Sequence, residues 1–139
     1  MKIYLAGPLF TTAEREFNTR LAARLRQAGH EVFLPQEAED RHQPARVAFE
    51  QDVAGIDDAE VVVANMDGSD PDSGTCWECG YAFGKKPIVL FRTDFRAGDD
   101  PAKAPFNFML SESATRLLLL PFADTETVAR ELLGALAAL

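Results

Sequence analysis

The chain predicts a single α/β domain, residues 1–139, with a parallel sheet covered by helices on both faces. Two observations carry that expectation. Segments of β type alternate with segments of helical period from end to end. The strand segments, such as Val61-Val62-Val63-Ala64 and Ile88-Val89-Leu90-Phe91, are continuous apolar runs, as strands are when neither face meets water.

Taken in order, Ile3 to Ala6 is the first strand, broken by Gly7-Pro8. Thr11 with Glu14 three residues later forms a capping box for the first helix. Phe17, Leu21, Leu25 and Ala28 fall on one face of it, and Gly29 is placed to end it. A short second strand runs from Glu31 to Pro35. Residues 36–44 are polar, and Pro44 suits the first turn of the next helix, whose apolar stripe is Phe49, Val53 and Ile56. The third strand is expected at 60–65. A loop of small residues, Ser73-Gly74-Thr75, then opens a short helix, and the fourth strand follows at 87–91. Residues 92–105, rich in Asp, Gly, Ala and Pro, read as a mobile loop or lid, and 107–110 as a helical turn. The run 115–120 reads as a buried fifth strand. Asp124 caps a last helix with Val128, Leu132, Ala135, Leu136 and Leu139 inward. Five such strands suggest a flavodoxin-like, doubly wound sheet of order 2-1-3-4-5.

Composition narrows the partners. With 14 basic and 22 acidic residues the net charge is −8, and no basic stripe exists to neutralise a nucleic-acid backbone. No apolar run approaches a membrane span, and the first residues enter a strand instead of a signal peptide. Two cysteines without an export signal point to the cytoplasm.

In an open parallel sheet ligands bind at the carboxyl ends of the strands, which places the 72–75 loop and the helix behind it at the expected site. Glu78 stands about one turn into that helix, among apolar neighbours where a carboxylate is conspicuous. Its plain reading is a surface acid favoured by the helix dipole. Asp52 shares the side of its helix with Phe49 and Ile56 instead of the solvent face; it is otherwise a solvated edge or a loop cap. Asp72 heads the Gly74 loop, where Asp is also a favoured turn residue. Tyr4 alternates with core positions and could be plain packing. Several acids meeting in one crevice suit a neutral polyol such as a sugar and suit an anion poorly. Cys76-Trp77-Glu78-Cys79 is formally a C-x-x-C at a helix start, but it follows the third strand and not the first, so inert thiols are the expectation. Neither a P-loop nor a dinucleotide fingerprint is present.

Four stretches, in this order, carry a resemblance: 3–10 (IYLAGPLF), 51–56 (QDVAGI), 74–82 (GTCWECGYA) and Asn107-Phe108-Met109. Together they resemble the nucleoside 2-deoxyribosyltransferase family over nearly the whole chain. The resemblance implies exchange of the base of a 2′-deoxynucleoside by double displacement, with retention at C1′, hydrolysis as side reaction, and neither metal nor organic cofactor. It casts Glu78 as nucleophile, Tyr4 as the residue orienting it, and Asp52 as the aspartate near sugar and leaving base. Asp72 would bind the 5′-hydroxyl, Gly7 belongs to a substrate-binding motif, and Asn107 and Met109 would be lent by a neighbouring subunit of a homo-oligomer. The implied partners are deoxynucleosides and free nucleobases. Cys76 and Cys79 depart from the family pattern without removing a functional group. Relatives that hydrolyse 2′-deoxynucleoside 5′-monophosphates bind phosphate with hydroxyl side chains where this chain has Asp72 and Asn107, so that activity is the alternative. A nucleoside-binding module without catalysis is the remaining one.

Overall fold

The computed structural model describes residues 1–38, 40, 42–96 and 104–139. Its elements are β1 (Lys2–Ala6), α1 (Thr12–Gln27), β2 (Glu31–Phe33), α2 (Pro35–Ala38), α3 (Ala45–Asp58), β3 (Val61–Asn65), α4 (Ser73–Ala82), β4 (Ile88–Arg92), α5 (Phe108–Ser111), β5 (Arg116–Leu119) and α6 (Thr125–Ala137). The five strands pair in parallel in the order β2-β1-β3-β4-β5, the flavodoxin-like arrangement the sequence predicts. The chain steps outward from β1 to β2 and then crosses back over β1 to β3, so the switch point lies between the ends of β1 and β3.

Strand side chains alternate between two cores. Ile3, Leu5, Val61, Val63, Val89 and Phe91 pack with Leu21 and Leu25 of α1 and Leu132 of α6. Tyr4, Ala6, Val62, Ala64 and Leu90 pack with Ile56 of α3 and Cys79 of α4. A glycine sets how closely α3 approaches: a Cβ on Gly55 would lie 2.8 Å from the Phe33 ring. The capping box of α1 is formed, with Glu14 accepting from Thr11 N at 2.7 Å and from Phe10 N at 3.0 Å. Those backbone N–H groups hold the Glu14 carboxyl below its usual range. Gly29, at φ 91°, turns the chain out of α1.

Several expectations are corrected. Ala28 lies past the last turn of α1 and is exposed, while Ala22 takes the buried position. The polar stretch after β2 contains the short α2, whose Gln36 is buried because its amide bonds Arg15 O, Thr19 Oγ1 and Asn18. Pro44 is the cap before α3 and not its first helical residue. The 115–120 run is a sheet edge, so it is only half covered, and Leu119 is 50 % exposed. Leu139 is exposed beyond the end of α6. Of the expected 92–105 loop, Arg92 closes β4 and 97–103 lie outside the described residues. Among the described residues no helix is long and apolar enough to cross a membrane.

Candidate active site

Helix α4 begins with Asp72, whose Oδ2 accepts from Thr75 N at 2.9 Å and from Thr75 Oγ1 at 3.0 Å. This is an N-cap, and it fixes where the helix starts. Gly74 fits inside that turn because a Cβ there would meet Asp72 Oδ2 at 3.2 Å. The helix then presents three faces. Thr75, Cys79 and Ala82 enter the core, Gly74, Trp77 and Glu78 look toward α3, and Cys76 and Gly80 look toward α5.

Glu78 is half-buried and meets the middle of the sheet. Tyr4, wholly buried on β1, donates its hydroxyl to Glu78 Oε1 at 2.6 Å. A phenol on a carboxylate at that distance is a strong, orienting bond. The Tyr4 ring is itself held by stacking on Phe33, with centroids 5.4 Å apart and planes 11° apart. Asp52 faces Glu78 across a cavity of about 350 Å³ completed by Phe49, Val53, Gly74 and Trp77. Tyr4, Asp52 and Glu78 are thus brought together from β1, α3 and α4.

Phe49 needs a correction, for it is not a core residue. It is 43 % exposed and tilts against Trp77 at 5.4 Å, and Trp77 stacks on Tyr81 at 5.3 Å. Phe49 and Trp77 form an aromatic wall that sequence reasoning missed. The available signal was that each lies one or three residues before a candidate carboxylate.

Gly7 sits where β1 leaves the sheet, and a Cβ on it would come within 3.2 Å of Asn65 Cβ, a tight contact that would push the two strand ends apart by a few tenths of an ångström. Asn107 and Met109 lie apart from Glu78. Asn107 caps α5 by accepting from Met109 N at 3.0 Å, and both line a cavity of about 580 Å³ with Cys76, Gly80, Phe83 and Phe108, on the other side of α4. Arg92, also missed, is 2 % exposed at the end of β4. Its guanidinium donates to the carbonyls of Met66, Gly68 and Arg96, tying the end of β3 to the segment after β4. Asp67 reinforces that tie by accepting from Thr93 N at 2.6 Å, Thr93 Oγ1 at 2.7 Å and Asp94 N at 2.8 Å. Arg96 beside Asp94 holds the Asp94 carboxyl well below the usual range.

The cysteines are unpaired. Burial pushes the Cys79 thiol up to about 12, with the Glu78 charge adding to it, and burial also raises Cys76. Thiols so protonated are poor nucleophiles, which speaks against dithiol redox chemistry. Among the described residues no group of three or more His, Cys, Asp or Glu side chains could hold a metal ion.

Comparison with known proteins names the class that this fold and pocket define. Residues 3–109 match the family Nucleoside 2-deoxyribosyltransferase. A 2-deoxyribosyltransferase from Bacillus psychrosaccharolyticus superposes with a TM-score of 0.73 at 28 % identity, over 93 % of this chain and 90 % of that one. A conserved protein from Enterococcus faecalis V583 gives 0.75 at 25 % identity, over 97 % and 98 %. An uncharacterised protein of Ureaplasma parvum serovar 3 is 34 % identical, over 69 % of this chain and 72 % of its own length. The chain belongs to the nucleoside 2-deoxyribosyltransferase family, a class acting on N-glycosidic bonds.

Proposed function

We propose that the protein transfers the 2-deoxyribosyl group between nucleobases through a covalent intermediate on Glu78. The observation that carries this reading is the 2.6 Å bond from Tyr4 to Glu78 Oε1, with Asp52 in the same cavity. A glycosidic C1′ tolerates positive charge, so a carboxylate can trap it as the base departs. Glu78 forms the bond to C1′ while the C1′–N bond breaks and its electron pair goes to the base. Asp52 delivers the proton that the departing nitrogen needs. A second base then attacks C1′ from the vacated side, returning the electron pair to Glu78, giving its N–H proton to Asp52 and restoring the β configuration. Water in its place gives hydrolysis.

Asp72 sets the substrate class. Both of its bonds to α4 use Oδ2, leaving Oδ1 to accept from a 5′-hydroxyl. A 5′-phosphate about 4 Å away would instead be repelled by roughly 4 kcal/mol per unit charge at an effective dielectric near 20. Nucleosides are therefore preferred over their monophosphates. The test is incubation with deoxyinosine, with and without adenine. New deoxyadenosine establishes transfer, free deoxyribose as the only product makes the protein a hydrolase, and no product from either mixture refutes both.

A further inference from the structure

A second cavity lies on the opposite face of the sheet from Glu78, at the carboxyl ends of β1, β3 and β4. It encloses about 580 Å³, and Phe17, Asn65, Asp94, Phe95, Arg96 and Phe122 are among its lining residues. The transfer reaction gives it no task, yet three features of it are those of a binding site.

Asn65 is 5 % exposed, and its Oδ1 accepts from Asp67 N at 2.9 Å, which fixes which end of the amide is the donor. Among the described residues its Nδ2 donates to no protein group, and the atom is open to the cavity instead of sealed in the core. Phe95 and Phe122 stack with centroids 5.2 Å apart although they are 68 % and 80 % exposed. Phe122 holds this position at φ 61°, a left-handed backbone that a bulky residue rarely adopts and glycine adopts freely. Strain that presents an aromatic ring to solvent beside a cavity is a mark of function.

We propose that this cavity binds a flat, neutral heteroaromatic ring, a nucleobase free or within a nucleoside. The ring adds to the Phe95–Phe122 stack, and a carbonyl oxygen or ring nitrogen accepts from Asn65 Nδ2. The cavity has the size of such a ligand. Charge selects against a phosphorylated one: Glu14, Asp67 and Asp94 outnumber Arg96, whose guanidinium is already paired with Asp94. The site is separate from the Glu78 pocket, so it stands or falls independently of the transfer reaction.

The test titrates adenine into the whole protein and into Glu78→Ala, with deoxyribose as the non-aromatic control. The side-chain amide resonance of Asn65 reports this cavity, and the emission of Trp77, the single tryptophan, reports the Glu78 pocket. Adenine is expected to shift the Asn65 amide equally in both proteins. Phe122→Gly relieves the strained backbone and should keep its melting temperature while weakening that titration about fivefold to tenfold. If it melts early, Phe95→Ala supplies the same comparison with the backbone untouched. No shift at saturating adenine, an equal shift with deoxyribose, or an unchanged midpoint in the variants overturns the proposal. Loss of the Trp77 response alone counts only against the transfer site.

Discussion

Glu78 and Tyr4 divide one task, since the carboxylate would make the bond and the phenol holds it in place. Replacing Glu78 with Gln removes the proposed nucleophile while keeping its size and its ability to accept from Tyr4. Deoxyribosyl transfer should fall ~10³-fold or more with no loss of melting temperature. A Gln variant that keeps a tenth of the wild-type rate would end the assignment. Tyr4→Phe removes only the hydroxyl at 2.6 Å and leaves the stack on Phe33. A hydrogen bond to a charged group is worth about 1.5–3 kcal/mol, so kcat should drop about 10- to 100-fold with KM little changed. A rise in KM at constant kcat would show that Tyr4 serves ground-state binding instead. Of these two residues, the sequence exposed the oddity of Glu78, an acid among apolar neighbours. It left Tyr4 indistinguishable from packing, because alternation along a strand says which face a residue takes and not what its hydroxyl meets.

At the scale of the element, α4 would couple a helix cap to substrate choice through Asp72. Ser is as good a cap as Asp, so Asp72→Ser should leave stability nearly unchanged. It removes the charge proposed to face the 5′ position and adds a hydroxyl donor. The ratio of kcat/KM for deoxyadenosine over its monophosphate should therefore fall in the variant, and an unchanged ratio would mean that Asp72 does not face the 5′ end. The elements themselves were largely legible. Strands covered on both sides are written as unbroken apolar runs, and the Thr11–Glu14 box marks a helix start by chemistry that is purely local. What local pattern does not encode is the neighbour. β5 reads as buried because Leu117 to Leu120 are apolar, yet it stands at an edge. Phe49 has the period of a core residue but faces a pocket, since helical periodicity marks an apolar face without saying what covers it. Arg92 escaped notice because guanidinium groups are seldom buried on backbone carbonyls alone.

For the whole molecule, the separation of Asn107 and Met109 from Glu78 within one chain is the fact with the widest reach. Phe83, Phe108 and Met109 are 60–68 % exposed around their cavity. We propose that a second copy covers this patch and that Asn107 completes the partner's site, so that a two-fold pair builds two sites at once. Glu78→Ala and Asn107→Ala, once each is shown to be inactive alone, should partly recover activity when mixed under conditions of proven subunit exchange. No recovery, or a fully active monomer, would refute shared sites. No single-chain pattern reveals such a role, and only the resemblance pointed toward it.

The tight fit between Gly55 and Phe33 would give the site a remote adjustment. Phe33 touches Tyr4 and Tyr4 touches Glu78, so a change in the spacing of α3 from β2 would pass through two rings to the proposed nucleophile. Gly55→Ala gains about 1 kcal/mol in helix propensity and loses about 1–3 kcal/mol by overpacking. Stability should fall by up to about 2 kcal/mol while kcat falls about tenfold, and adding Phe33→Leu to make room should return part of the stability and none of the stacking. Equal kcat in Gly55→Ala and wild type would disconnect the chain of contacts. If they are connected, laboratory selection for altered rate would collect substitutions at positions 33 and 55, where no substrate ever arrives.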